Sequence, residues 1–294
     1  MCSRNGRSRL VAAVCAAALI LGVQAVALGA TVPPGIDDIV GTYQVSDKVV
    51  VDSFSDGTIV SYTDGLEWDV SKGVGAGEVV VNIPYWGWSF TGIYENGILV
   101  DAEGDDSSNP SSDMNTGCIV FSGSAGKVKF KGNQSWVTGA WSEWDTVSGK
   151  MVATTSFKGG NVKTTDVKAP VPTIDQVVGT YSVSMKGTGY DQATGQANKG
   201  SEADIVTITK IDDATLNIHP SDGEDKPAHY ENGMVMIAEI DDSGTYDQQF
   251  ITMVVSGKPG KLSMKGNLLS VEDFGGPDQE VKVGTIALKQ ISPP

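Results

Sequence analysis

Ile36-Asp37-Asp38-Ile39-Val40-Gly41-Thr42-Tyr43-Gln44-Val45-Ser46 returns later in the chain as Ile174-Asp175-Gln176-Val177-Val178-Gly179-Thr180-Tyr181-Ser182-Val183-Ser184. Two further blocks repeat in the same order. Tyr94-Glu95-Asn96-Gly97 returns as Tyr230-Glu231-Asn232-Gly233, and Ser122-Gly123, Gly126-Lys127 and Lys131-Gly132-Asn133 return as Ser256-Gly257, Gly260-Lys261 and Lys265-Gly266-Asn267. The offset falls from 138 residues at Ile36 to 136 at Tyr94 and 134 at Ser122, which small loop deletions in the second copy explain. Convergence on three ordered blocks is improbable, so the chain holds a duplicated unit. A unit this long is a domain rather than a solenoid repeat. The copies span 36–163 and 174–290. Pro170 and Pro172 mark a stiff linker over 164–173, and two separate globules are expected.

Within each copy the pattern is that of short strands. Lys127-Val128-Lys129-Phe130-Lys131 and Lys261-Leu262-Ser263-Met264-Lys265 alternate with period two, the mark of a strand with one buried and one wet face. Asp56-Gly57, Asp64-Gly65, Asn96-Gly97 and Asn232-Gly233 read as hairpin turns between β-rich runs. Only Ile36 to Val40 and Ile174 to Val178 look helical, each as a single turn. The class is all-β, two tandem antiparallel up-and-down barrels of about eight strands each, with two β-sandwiches as the alternative. The strands read as shorter than the 9–11 residues of a membrane barrel, which argues against a porin-like role.

The first thirty residues stand apart. Arg4, Arg7 and Arg9 precede an apolar run from Leu10 to Ala30, with small-residue cleavage sites after Ala27 or Ala30, as in a secretory signal peptide. Its rival is an uncleaved anchor. Cleavage places the protein outside the cytoplasm, secreted or periplasmic, with no membrane attachment. The whole chain carries a net charge of −15, and loss of those three arginines leaves −18 with lysine as the sole strong cation. Such a chain lacks the clustered basic residues that hold nucleic acid. Of the three cysteines, only Cys118 remains, so no intrachain disulfide forms; it reads as a small buried hydrophobe.

A helical turn running into Gly41-Thr42-Tyr43 or Gly179-Thr180-Tyr181, followed by sequential hairpins, resembles the lipocalin-like or calycin barrels, where the tripeptide is Gly-x-Trp. The Thr-Asp-x-Tyr motif of that family is missing from both copies. The resemblance implies an aromatic barrel floor crossed by a basic side chain of the last strand, a part open to Lys158 and Lys289. It also implies a small apolar ligand inside the barrel.

All six tryptophans belong to the first copy. Trp86, Trp88 and Phe90 alternate and so share a face, and Trp136, Trp141 and Trp144 follow. Trp86, Trp88, Phe90 and Trp141 are the candidate ligand-binding residues, against the reading that these rings only fill a core. The acidic stretch Asp101 to Asn109 and its counterpart Glu239 to Asp242 offer oxygens for calcium but lack EF-hand spacing, so they read as solvated loops. His219 and His229 read as two exposed loop histidines, short of the ligands that zinc needs. No nucleophile–base set stands out, so neither a catalytic site nor a cofactor or metal is expected. The function expected is a non-enzymatic binder of a small apolar molecule. The alternative is a structural or surface-interaction module of the envelope or extracellular space. Oligomeric state is open.

Overall fold

The protein is described by a computed structural model over residues 32–104, 113–153, 163–167, 170–221, 223–241, 246–277 and 279–292. The signal-like segment and Lys158 lie outside these residues, as does most of the first acidic loop.

Strands β1 (Gly41–Ser53), β2 (Thr58–Lys72), β3 (Glu78–Ile83), β4 (Trp88–Glu95), β5 (Ile98–Gly104), β6 (Met114–Ser122), β7 (Lys129–Thr138) and β8 (Trp141–Met151) pair antiparallel in sequence order, and β8 returns to β1. After β9 (Lys163–Asp166), the second copy repeats the scheme. It comprises β10 (Gly179–Asp191), β11 (Gln196–Lys210), β12 (Thr215–Pro220), β13 (Lys226–Glu231), β14 (Met234–Asp241), β15 (Asp247–Lys258), β16 (Lys261–Glu272) and β17 (Glu280–Ser292), with β17 closing on β10. The protein is all-β, with two closed eight-stranded antiparallel barrels. Closure decides between barrel and sandwich, because β1 and β10 each have hydrogen-bonded neighbours on both sides.

Alternation sets what faces inward. In β1, Tyr43, Val45, Asp47 and Val49 are buried while Ser46 and Lys48 are exposed. Each barrel closes at one end over its helical turn, Ile36–Ile39 or Ile174–Val177. The Tyr43 hydroxyl donates to Ile39 O at 2.7 Å and the Tyr181 hydroxyl to Val177 O at 2.6 Å. The Tyr94 and Tyr230 hydroxyls donate to Pro34 O and Pro172 O. The repeated sequence blocks therefore carry the tyrosines that tie each floor.

Several expectations need correction. Asp64-Gly65 makes no turn: it lies within β2, paired with Asp47 and Ser46, because the inward series Tyr62, Asp64, Leu66, Trp68 runs unbroken through it. The strands are longer than read, 13 residues in β1 and 15 in β2, so strand length gives no argument against a membrane barrel. Lys289 does not cross the floor. It points outward and exposed, and the Gln290 carboxamide instead donates to Val178 O at 3.2 Å. The first residues of the expected linker form β9, paired with the start of β2.

The barrels are not separate globules. Besides the core inside each barrel, a third apolar cluster joins Phe54, Val100, Met114, Cys118 and Trp144 of the first to Met234, Phe250, Leu269 and Val281 of the second. Trp144 stacks on Phe250 with ring centroids 6.5 Å apart. The contact has pseudo-twofold character. Asn232, on the closed-end hairpin of the second barrel, donates to Phe54 O at 2.6 Å on the β1–β2 turn at the opposite end of the first. Asn96 donates reciprocally to Gln192 O at 3.1 Å and Ala193 O at 2.7 Å on the β10–β11 turn. Both asparagines have φ of 48°, and Gly57 and Gly195, also at positive φ, leave room for them. The barrels thus lie side by side and point opposite ways.

Asn96→Gly and Asn232→Gly keep the positive φ and delete only these side-chain bonds. Asn232→Gly is expected to cost about 1 kcal/mol, the net worth of a hydrogen bond, and Asn96→Gly, which loses two, about 2 kcal/mol. Urea denaturation of the intact chain reads the effect. An unmoved midpoint in both variants would show that water replaces the contacts at no cost.

Candidate functional site

The open end of the first barrel holds a cavity of about 770 Å³. Its walls come from seven strands, β3 through Ile83 among them, and from the β3–β4 turn. β1 gives Asp47, β2 gives Val60, Tyr62, Asp64 and Trp68, and β8 gives Trp141, Glu143 and Asp145. Trp88 of β4, Asn115 of β6 and Gln134 and Trp136 of β7 complete the ring, with Tyr85 and Trp86 at the turn.

Three of the four expected ligand-binding residues, Trp86, Trp88 and Trp141, meet here. Trp86 is 42% exposed at the rim, while Trp88 and Trp141 are half-buried. Phe90 lies in the core and not on the cavity wall, packed against Trp68 and Trp88 at 5.7 and 5.5 Å. Trp136 joins Trp88 at 5.1 Å and Trp141 at 6.2 Å, which makes a continuous indole wall. Trp68 forms the base, only 1% exposed and stacked on Phe130 at 5.0 Å.

Sequence reading missed the acids. Asp47, Asp64, Glu143 and Asp145 line the same cavity, and none of its described lining residues is a lysine. They converge through register: Asp47 pairs with Asp64, while Asp145 pairs with Val49 on one side and Gln134 on the other. Burial, then Glu143 and Asp64, push the Asp47 carboxyl up to about 7. Burial raises Glu143 as well, and it holds Asp145 well above the usual range with help from Asp47 and Glu143. Glu143 and Asp145 sit two residues apart on the inward phase of β8, so the charge of Glu143 adds to the cost of ionising Asp145. The Tyr62 hydroxyl is pushed up by burial and then by all four acids, which locates it among them. Beneath, Asp101 is fully buried and pushed up to about 7 by burial, then Glu103; Asn115 Nδ2 donates to it at 2.9 Å. Five polar atoms on the wall, Asp47 Oδ1, Trp68 Nε1, Gln134 Nε2, Trp136 Nε1 and Asp145 Oδ1, have no hydrogen-bond partner among the described residues.

The second barrel shows what the fold does without this site. Where the first barrel has Asp47, Tyr62, Gln134, Glu143 and Asp145, the corresponding register positions hold Met185, Gly200, Leu268, Lys282 and Gly284. The equivalent cavity is about 140 Å³. Lys282 there is neutralised by Glu272 at 2.7 Å and Glu280 at 3.9 Å. His219 and His229 lie on strands rather than loops, half-buried, beside Asp225 and Glu231 respectively. The alternating runs Leu216-x-Ile218 and Ala228-x-Tyr230 fix them on the outer phase. No group of three His, Cys, Asp or Glu among the described residues is placed to hold a metal ion.

No family model matches the chain, and no curated protein matches it. Among solved structures it is similar to a protein of unknown function of the DUF3598 family from Nostoc punctiforme, with 11% identity, 86% of this chain and 97% of that chain covered, and a TM-score of 0.30. It is also similar to kievitone hydratase from Nectria haematococca, with 7% identity, 88% and 91% coverage, and a TM-score of 0.15. Likenesses this faint carry no argument about activity, so the acids themselves must be probed. The native pKa values of Asp47, Glu143 and Asp145 exceed those of the unfolded chain, near 4. The native state therefore binds more protons, and stability present below about pH 4 is lost as pH rises through about 7. Asp47→Met, which installs the residue of the second barrel, is expected to flatten that decline and raise Tm at pH 8 by a few degrees, at about 2–4 °C per kcal/mol. Replacing the exposed Asp166 by Asn should leave the slope alone. Equal slopes in Asp47→Met and the parent would contradict the burial argument.

Proposed function

We propose that this is an exported, non-enzymatic binding protein of lipocalin-like design that holds one small molecule in the open end of its first barrel. The observation that carries the proposal is the contrast between the two cavities, about 770 Å³ walled by indoles and carboxyls against about 140 Å³ in a barrel of the same topology. The expected ligand was apolar; the wall favours an amphipathic one. Trp88, Trp136 and Trp141 supply a broad apolar face, and the unpartnered indole N–H groups and carboxyl oxygens supply the polar recognition that fixes orientation. The second barrel, filled by Met185 and Leu268 at this level and packed against the first, acts as a support.

The test is intrinsic fluorescence of the mature protein, titrated with apolar, amphipathic and sugar probes. All six tryptophans report on the first barrel. A saturable, one-to-one change is expected for amphipathic probes. Trp141→Ala should weaken it by about 1.5–3 kcal/mol, the burial value of a large apolar side chain, and Trp86→Ala by less. Silence towards every probe would overturn the proposal and leave the structural module.

One feature favours a second reading, acid–base chemistry on the bound molecule, namely the carboxyl pair Glu143 and Asp145 with raised pKa values. Mass spectrometry separates the two, since a binder returns its ligand unchanged. Export has its own readout: N-terminal sequencing of the protein from its native source is expected to begin at Leu28 or Thr31.

A further inference from the structure

From the arrangement of charge in the cavity we infer, resting on the binding role just proposed, that the ligand is an organic ammonium ion: a protonated amine on an aromatic or alkyl body that also carries an acceptor oxygen. Four carboxyl groups line the cavity and none of its described lining residues is a lysine, so the described wall leaves their charge uncompensated. An acidic cluster alone would say little. Here a second observation points the same way, since Asp47, 2% exposed, presents Oδ1 without a partner, and Trp68, 1% exposed, presents Nε1 without one. A free carboxylate oxygen requires a donor, and a free indole N–H requires an acceptor. One molecule with both satisfies the wall.

The indoles select the type of cation. A metal ion needs several oxygens converging on a point, and no three acids among the described residues do so. An ammonium on a hydrocarbon body needs less, one or two carboxylates beside aromatic faces, where the ring quadrupole adds to the attraction. A protonated amine fits better than a quaternary one, because only the former can donate to Asp47 Oδ1. The second barrel cannot bind the same way, since Lys282 occupies the position of Glu143.

Binding of the ammonium must expel protons from the cluster. The groups facing the site are Asp47 on β1, Tyr62 and Asp64 on β2, Glu143 and Asp145 on β8 and Tyr85 at the β3–β4 turn, with Asp101 of β5 beneath. The strands β4, β6 and β7 contribute Trp88, Asn115, Gln134, Ser135 and Trp136, which do not titrate. Affinity therefore rises as the acids ionise.

Titration calorimetry on the intact mature chain tests this with 2-phenylethylamine and tyramine as ammonium probes, 2-phenylethanol as neutral isostere, 3-phenylpropanoate as anion and calcium chloride as metal. At pH 8 the amines are expected to bind at least tenfold more tightly than the alcohol, with a heat that varies with the buffer because protons are released. The gap should close towards pH 5, and calcium should give no saturable heat. Asp47→Met and Glu143→Lys borrow residues that the second barrel already accommodates, so both are expected to fold. Each should weaken amine binding at least tenfold and alcohol binding by clearly less. If the alcohol or the anion binds as well as the amines, or calcium saturates the site, the cation assignment is overturned while the barrel remains a binding site. If no probe of any charge binds, the binding role falls with it. Amine binding that survives both substitutions, checked by circular dichroism, also overturns the assignment.

Discussion

In a closed antiparallel barrel each residue of a strand faces either the interior or the outside, and nothing lies between. Every other feature of this protein follows from that two-way choice. The floor tyrosines, the indole wall and the acids are inward residues; the inter-barrel cluster and its asparagine ties are outward residues and turns. Because period two is strict, a one-residue slip would exchange the sets and turn both cores out. The floor bonds from Tyr43 and Tyr181 to the helical turns fix register at one end, where a turn of only four residues could not hold itself.

The duplicated unit is used with its outer surface conserved in kind and its interior changed. Asn96 and Asn232 do the same job in opposite directions, reaching from the closed end of one barrel to the first turn of the other. The side chains that follow them differ. The Phe54 ring packs edge-on against His229 at 5.9 Å, while Gln192, its counterpart, donates to Ile93 O at 2.7 Å and Ile98 O at 2.9 Å. Such reciprocal contacts are isologous in form, the geometry of a homodimer written into one chain.

The repeat and the strand class were legible because they depend on local periodicity and ordered motifs; of the floor only the aromatic of Gly-Thr-Tyr was, since Lys289 points outward and Gln290 bonds Val178 O instead. The barrel contact was less so, though a trace existed. Ile98-Leu99-Val100 and Phe250-Ile251-Thr252-Met253-Val254-Val255 are almost unbroken apolar runs, and a strand apolar on both phases must be covered on both faces. The acids were also visible in phase, as Tyr43-x-Val45-x-Asp47-x-Val49 and Trp141-x-Glu143-x-Asp145-x-Val147. An acid in the inward phase is the anomaly that alternation exposes. That Asp47, Asp64, Glu143 and Asp145 converge on one cavity could not be read, since they come together through the β8–β1–β2 register, which single-strand patterns do not contain.

Carboxyls crowded into a poorly solvated cavity oppose folding, each by the cost of desolvation and of its like-charged neighbours. The second barrel keeps the same topology with Met185, Gly284 and Lys282 in the places of Asp47, Asp145 and Glu143, and its lysine is neutralised by Glu272 and Glu280. The fold therefore does not need the acids, and the structure is stable in spite of them. Packing elsewhere offsets the cost: the stacked Trp68 and Phe130, the laced floor and the cluster shared between barrels. A cost concentrated in one copy, where Asp47, Glu143 and Asp145 crowd the larger of the two equivalent cavities, is the pattern expected where a protein retains strain for the sake of a bound molecule. The second barrel then has a physical role even without a ligand of its own, because the apolar surface it shares with the first supplies stability that the open, acidic barrel gives up.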